Sequence, residues 1–220
     1  MRKIPRTPDY LRLYVITDCL LSRGRSHAEV VEKAIDGGAT CIQLREKDAS
    51  SRELYSHARE LRAITREKDA VFIINDRLDI ALAVGADGVH LGQDDLPAEA
   101  ARRIMPSEMI LGVSVENPRQ AREAQAMGAS YLGAGAVFAT STKADAGEPI
   151  GLQAFAEICR GVDIPVVGIG GINLQNAGQV IQAGAAGVAV ISAIVAADDI
   201  TLAAGKIARV IVEAQRTSIR

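Results

Sequence analysis

With 220 residues and 48% hydrophobic content, the chain is long enough for one large buried core and too apolar to be disordered. Its 25 Lys and Arg nearly balance 27 Asp and Glu, for a net charge of −2, and no basic stretch is interleaved with aromatics, so nucleic acid is not the expected partner. Trp is absent and aromatics make up only 3%, which excludes a site built on an aromatic cage. The opening MRKIPRTPDY has no apolar run behind its basic residues, so it is not expected to act as a secretory signal. The longest apolar run, 187–197, is too short to span a bilayer, and no membrane partner is expected. Cys19, Cys41 and Cys159 follow no paired or CxxC spacing and are expected to be reduced thiols in a cytoplasmic protein.

Along the chain, short β-branched runs alternate with longer helical patterns. Strands are predicted at 13–17, 41–45, 71–75, 88–91, 110–115, 130–138, 165–170 and 187–192. Helices are predicted at 28–36, 52–67, 78–84, 98–104, 119–127, 152–160, 174–183 and 200–215. Before the even strands a sub-pattern recurs: DGGATCIQL, VGADGVHLG, MGASYLGAG and AGAAGVAVI. Each is a helix end, a glycine suited to the position after it, a small residue and a buried strand. Such β/α units facing one way predict a single-domain (β/α)8 TIM barrel over 13–215, with 1–12 as an N-terminal extension. The doubly wound alternative would place a Gly-rich turn after strand 1, where the chain instead reads Thr17-Asp18-Cys19.

In such a barrel the active site lies at the C-terminal strand ends. Strand 2 ends there in Gln43-Leu44-Arg45-Glu46-Lys47, and strand alternation would project Gln43, Arg45 and Lys47 together. Strand 3 ends in Asn75 and Asp76, and strand 4 in Asp94 and Asp95. Neighbouring parallel strand ends share a side, so Asp76 and Asp95 can face one space; paired carboxylates read without a nearby His or Cys suit a hard cation such as Mg²⁺ better than zinc. Asp79 and Asp94 are expected as helix caps, His90 as a structural histidine, and His27 and His57 as surface residues on helices. Strand 5 brings Ser114 to the rim, and the long polar loop after strand 6 carries Thr140, Ser141, Thr142 and Lys143. Glycines 170 and 171 after strand 7, with Ile191 and Ser192 after strand 8, form the kind of backbone-rich end that receives phosphate. Two anion sites follow: a charged one suited to a diphosphate and a neutral one suited to a monophosphate, which together predict two small phosphorylated substrates.

The motifs QLREK at 43–47, NDRLDIALAVGADGVHLGQDD at 75–95, GVSV at 112–115, TSTK at 140–143 and GIGGI at 168–172 closely resemble the thiamine-phosphate synthase family, in family order. The resemblance implies a transferase. It would join a hydroxymethylpyrimidine diphosphate to a thiazole phosphate bearing a carboxylate, releasing diphosphate and CO₂ with Mg²⁺. It implies that Gln43, Leu44, Arg45, Glu46, Lys47, Asn75, Ser114 and Lys143 bind the pyrimidine diphosphate, with Arg45, Lys47, Ser114 and Lys143 as the catalytic set. It assigns Asp76 and Asp95 to Mg²⁺. Thr140, Ser141, Thr142, Gly171, Ile191 and Ser192 fall to the thiazole phosphate, with Gly170 from the neutral set beside them. Two positions depart from the pattern: Ile191 stands where Val is common, and Glu116-Asn117 follows the strand-5 segment where His is frequent. The competing readings are a thiazole tautomerase, which would need neither the diphosphate cations nor the metal pair, and a non-catalytic phospho-ligand barrel. Self-association is left open.

Overall fold

Strands and helices alternate along the chain in the computed structural model, which describes residues 8–140, 142 and 147–218. In order they are β1 (Leu13–Ile16), α1 (His27–Asp36), β2 (Cys41–Leu44), α2 (Ser51–Glu67), β3 (Val71–Asn75), α3 (Leu78–Val84), β4 (Gly88–Leu91) and α4 (Ala98–Ile104). There follow β5 (Ile110–Val115), α5 (Pro118–Ala126), β6 (Tyr131–Ala134), α6 (Gly151–Arg160), β7 (Val166–Ile169), α7 (Ala177–Gln182), β8 (Gly187–Val190), α8 (Ser192–Val195) and α9 (Ile200–Ser218). Each strand pairs in parallel with the next, and β1 pairs with β8, so the eight strands close. The fold is the (β/α)8 barrel.

Local chemistry explains the elements. Ser26 caps α1 by accepting the Glu29 amide, and Ser50 and Glu53 form a reciprocal capping box at α2. Val30, Val31 and Ala34 of α1, and Leu54, Ala58 and Leu61 of α2, recur at helical spacing and are buried on the outside of the barrel. Truncating one of these leucines to alanine would cost about 2–5 kcal/mol, because a well-packed layer relaxes only partly around the void.

Three boundaries differ from expectation for physical reasons. β6 stops at Ala134, where Gly135 and Ala136 interrupt the ladder; backbone bonding to β7 resumes one residue out of step, with Val137 N donating to Ile169 O at 2.8 Å. α7 begins at Ala177, since Asn173 and Asn176 first bond each other in a turn. The apolar run after β8 holds a helical turn, α8, which periodicity does not separate from a buried strand end.

The base of the barrel is closed by a 3-10 turn, Pro8–Leu11, whose buried Leu11 lies against the start of β8. A Cβ at Gly187 would sit 1.9 Å from Leu11 O, so only glycine allows this approach. Residues 1–7 of the expected extension lie outside the described residues. At the same end Asp87, just before β4, accepts Arg62 Nη1 at 2.8 Å and Nη2 at 3.0 Å, and also the Phe72 amide at 2.9 Å. Among the described residues no helix is long and apolar enough to cross a membrane.

Candidate active site

A cavity of about 270 Å³ opens at the C-terminal strand ends. One wall is charged. Arg45 follows β2, its backbone amide held by Thr17 Oγ1 at 3.1 Å. Its guanidinium approaches Asp18 only to 3.8 Å, too far for a hydrogen bond, and its buried Nε has no partner. Lys47, Asn75, Asp76, Asp94 and Asp95 line the same wall. The paired ends of β3 and β4 place the aspartates: Asn75 lies opposite His90, and Asp76 N donates to His90 O at 2.8 Å. Asp76 adopts φ 61°, a left-handed conformation that Asp tolerates better than most side chains. Asp95 accepts the Gly92 amide at 2.6 Å through Oδ2.

Beneath the cavity a polar chain crosses the barrel interior. Gln43 Nε2 donates to Tyr14 Oη at 2.6 Å, Tyr14 Oη lies 2.9 Å from Tyr131 Oη, and Tyr131 Oη lies 2.8 Å from His90 Nδ1. His90 Nε2 is 2.9 Å from Ser114 Oγ, at the cavity wall. Burial, the largest cause, pushes both phenols well above their ordinary pKa, so they remain protonated hydrogen-bonding groups. Gly112 makes room for the crossing, since a Cβ there would lie 2.4 Å from Tyr131 Oη and 2.5 Å from His90 Nδ1.

The opposite wall is neutral. Gly170 and Gly171 have φ 92° and 64°, and a Cβ at Gly171 would lie 2.5 Å from Ala139 O. Thr140, Thr142, Ile191 and Ser192 complete it; Thr142 N donates to Thr140 Oγ1 at 3.2 Å, and Thr142 Oγ1 lies 3.5 Å from Ser192 Oγ. Glycine backbone beside small hydroxyls leaves room for a phosphate to approach the chain closely.

The structure thus brings together Arg45, Lys47, Asn75, Asp76, Asp95, Ser114, Thr140, Thr142, Gly170, Gly171, Ile191 and Ser192. Ser141 and Lys143 lie outside the described residues. Gln43, Leu44 and Glu46 do not line the cavity. β2 ends at Leu44, yet the expected alternation persists beyond it: Arg45 and Lys47 line the cavity while Glu46 turns away to His27 and His57. Gln43, 2% exposed, sits one layer below the cavity on Tyr14, and Leu44 is part of the core.

Glu46 is held by two histidines, His27 Nε2 at 2.9 Å and His57 Nδ1 at 2.7 Å. Burial opposes its charge, but the hydrogen bonds from His57 and His27 outweigh it and hold the carboxyl below the usual glutamate value. The expectation of His27 as a surface residue is therefore corrected: the residue opens α1 but folds its ring over the end of β2. Asp79 and Asp94 are not caps. The N-cap positions of α3 and α4 are Arg77 and Pro97, neither with a side-chain cap; Asp79 pairs with Arg77 at 2.6 Å, and Asp94 faces the cavity. Gln93, which donates to Ser114 O at 2.6 Å, was missed because a lone amide among acids has no spacing signal.

The profile of the family described as thiamine monophosphate synthase matches residues 13–194, the barrel from β1 through the start of α8. The chain belongs to the thiamine monophosphate synthase family. It is similar to the thiamine-phosphate synthase of Chloroflexus aurantiacus, at 56% identity over 88% of this chain and 89% of that one. A second such relative, from Moorella thermoacetica, is 53% identical over 92% and 97% of the two chains. Among solved structures, the thiamine phosphate pyrophosphorylase of Pyrococcus furiosus superposes with a TM-score of 0.88 at 47% identity, covering 94% of this chain and 98% of that one. Family membership over this length makes the chain an enzyme of the thiamine-phosphate synthase type, a transferase of thiamine biosynthesis.

Proposed function

We propose that the protein joins 4-amino-2-methyl-5-hydroxymethylpyrimidine diphosphate to a carboxylated thiazole phosphate, forming thiamine phosphate, diphosphate and CO₂. The observation that carries this reading is one cavity with two unlike walls, Arg45, Lys47 and the aspartates on one side and glycine backbone with hydroxyls on the other. A diphosphate suits the first wall and a monophosphate the second. Oriented this way, the two substrates meet with their reacting atoms between them.

In the bond-breaking step the methylene–oxygen bond opens and its electron pair leaves with the diphosphate. The aminopyrimidine ring donates electrons to the resulting methylene cation. The thiazole nitrogen lone pair then forms the new carbon–nitrogen bond, and loss of CO₂ leaves an electron pair on the ring carbon that collects a proton. Arg45 supports this step through its planar donors, which stop 3.8 Å short of Asp18 and line the cavity. Lys47 adds a point charge, and Ser114 a hydroxyl at the rim. Lys143 and Ser141, just beyond Thr140 in sequence, are assigned by family resemblance to the diphosphate and the thiazole phosphate respectively.

The oxygen-only donors Asp76 and Asp95 fit Mg²⁺, and both nitrogens of the adjacent His90 are engaged by Tyr131 and Ser114, so a softer metal finds no imidazole there. When bound, Mg²⁺ supplies positive charge to the departing diphosphate.

The deciding experiment incubates the protein with both substrates and Mg²⁺. Joined product with released diphosphate supports the reading; isomerised thiazole alone would indicate a tautomerase, and no turnover a binding protein. Within it, Lys143→Ala is expected to lower single-turnover rate on the order of 10²–10³, the usual effect of removing one preorganised charge contact. A rate near that of the parent chain would remove Lys143 from the catalytic set.

A further inference from the structure

Outside the cavity, His27, Glu46 and His57 come from three separate elements: the first residue of α1, the connection after β2, and the second turn of α2. Their ligand atoms all lie within 4.8 Å of one another. None lines the cavity and none has a place in the reaction above. His27 and Glu46 are 9% and 10% exposed, whereas His57 is 40% exposed, so the cluster is a half-buried cup with one open side. The imidazole rings meet edge to face with centroids 5.3 Å apart, which directs both at the carboxylate.

We propose that His27, Glu46 and His57 form a second metal site, for a divalent transition ion of the Zn²⁺ class. Two imidazoles and one carboxylate are a donor set such ions prefer, and Mg²⁺ is disfavoured there. Ligands at about 2.0–2.1 Å around a tetrahedral ion stand roughly 3.3 Å apart. The present contacts of 2.9 and 2.7 Å, to the two oxygens of the carboxylate, need therefore spread by roughly half an ångström, and the two ring nitrogens already lie within 4.8 Å of each other. Entry of the ion moves each ring proton to the other ring nitrogen, and water takes the fourth position on the His57 side. An ion here ties α1 and α2 to the residue between Arg45 and Lys47, and so stiffens the segment that carries both cations.

The test is calorimetric titration of the metal-free chain with Zn²⁺ in excess Mg²⁺, in a Cys19→Ser background so that the exposed thiol does not compete. One Zn²⁺ per chain is expected, with affinity falling on the order of 100-fold or more in His27→Ala/His57→Ala. Co²⁺ should give visible absorption bands of a four- or five-coordinate site that vanish in the same double variant. No stoichiometric binding by the parent chain, or equal binding by a folded double variant, overturns the site and leaves a hydrogen-bonded clasp.

A different observation carries a second inference. The geometry points to Gln43, Tyr14, Tyr131 and His90 as positioning residues that give Ser114 its direction as a donor. The Gln43 amide nitrogen can only donate, so Tyr14 accepts from it. If Tyr14 passes its proton to Tyr131, and Tyr131 to His90 Nδ1, every phenol is satisfied; the reverse order leaves the fully buried Tyr14 proton only the Cys41 sulfur, a weak acceptor. His90 Nδ1 then accepts, Nε2 carries the proton to Ser114 Oγ, and the Ser114 proton points to whatever anion fills the cavity. Nitrogen-15 NMR of the histidine rings tests this: His90 should be the Nε2–H tautomer, and Tyr131→Phe should shift it while lowering kcat more than it raises KM. An Nδ1–H tautomer in the parent chain overturns the direction, as does a His90 signal unmoved by Tyr131→Phe.

Discussion

The two ends of the barrel use the same residue types for opposite purposes. At the base, Arg62 and Asp87 are 12% and 6% exposed and meet in two short hydrogen bonds of 2.8 and 3.0 Å. At the mouth, Arg45 and Asp18 are buried almost as deeply, 12% and 11% exposed, yet stand 3.8 Å apart. Burial is therefore not what separates them. The base pair saturates its carboxylate with two guanidinium nitrogens and the Phe72 amide, while at the mouth the Arg45 guanidinium stops 3.8 Å from Asp18, beyond hydrogen-bond reach. A buried charge without full compensation is retained where a ligand completes it, and the family's phosphorylated substrates are ligands of that kind.

This contrast can be broken from either end. Arg62→Ala or Asp87→Ala strands a buried charge and is expected to lower unfolding free energy by about 3–5 kcal/mol in urea titrations, with turnover per folded molecule little changed. At the mouth, Arg45→Ala is expected to reverse the pattern: turnover falls on the order of 10²–10³, roughly 2.7–4 kcal/mol, and the urea midpoint barely moves. Equal stability losses at the two ends would sink the distinction.

Between the ends, Tyr131→Phe removes the hydroxyl shared by Tyr14 and His90 and should cost about 1–3 kcal/mol of stability by leaving buried partners unmet. The smallest effect concerns Glu46. Its folded pKa lies below the unfolded value, so its contribution is present above the ordinary glutamate range of about 4.3 and lost as pH falls through the folded pKa. In chelator-treated protein, Glu46→Gln should therefore flatten the acid limb of a stability–pH curve and leave its alkaline limb alone.

The barrel itself was legible because its signals are local. β-branched runs and helix-terminal glycines act within a few residues, and the strand bounds at 71–75, 88–91 and 110–115 coincide with β3, β4 and β5. Asp76 and Asp95 could be placed on one side because neighbouring parallel strands must end together. Legibility failed where a residue's partner is distant in sequence. His27 looked like any first-turn polar residue until the fold carried Glu46 beside it, and Gln43 looked like a rim amide until Tyr14 drew it into the interior.

By itself, then, the sequence determined the eightfold β/α alternation, the end at which the polar residues gather and, through its motifs, the family. Only the tertiary structure decided which of those polar groups face the cavity, which are consumed by one another, and that Arg62 closes on Asp87 while Arg45 stays open. The physical reason is range. Propensity and periodicity act over one turn or one strand, whereas hydrogen bonds and charge pairing act through space, between residues that only barrel closure makes neighbours.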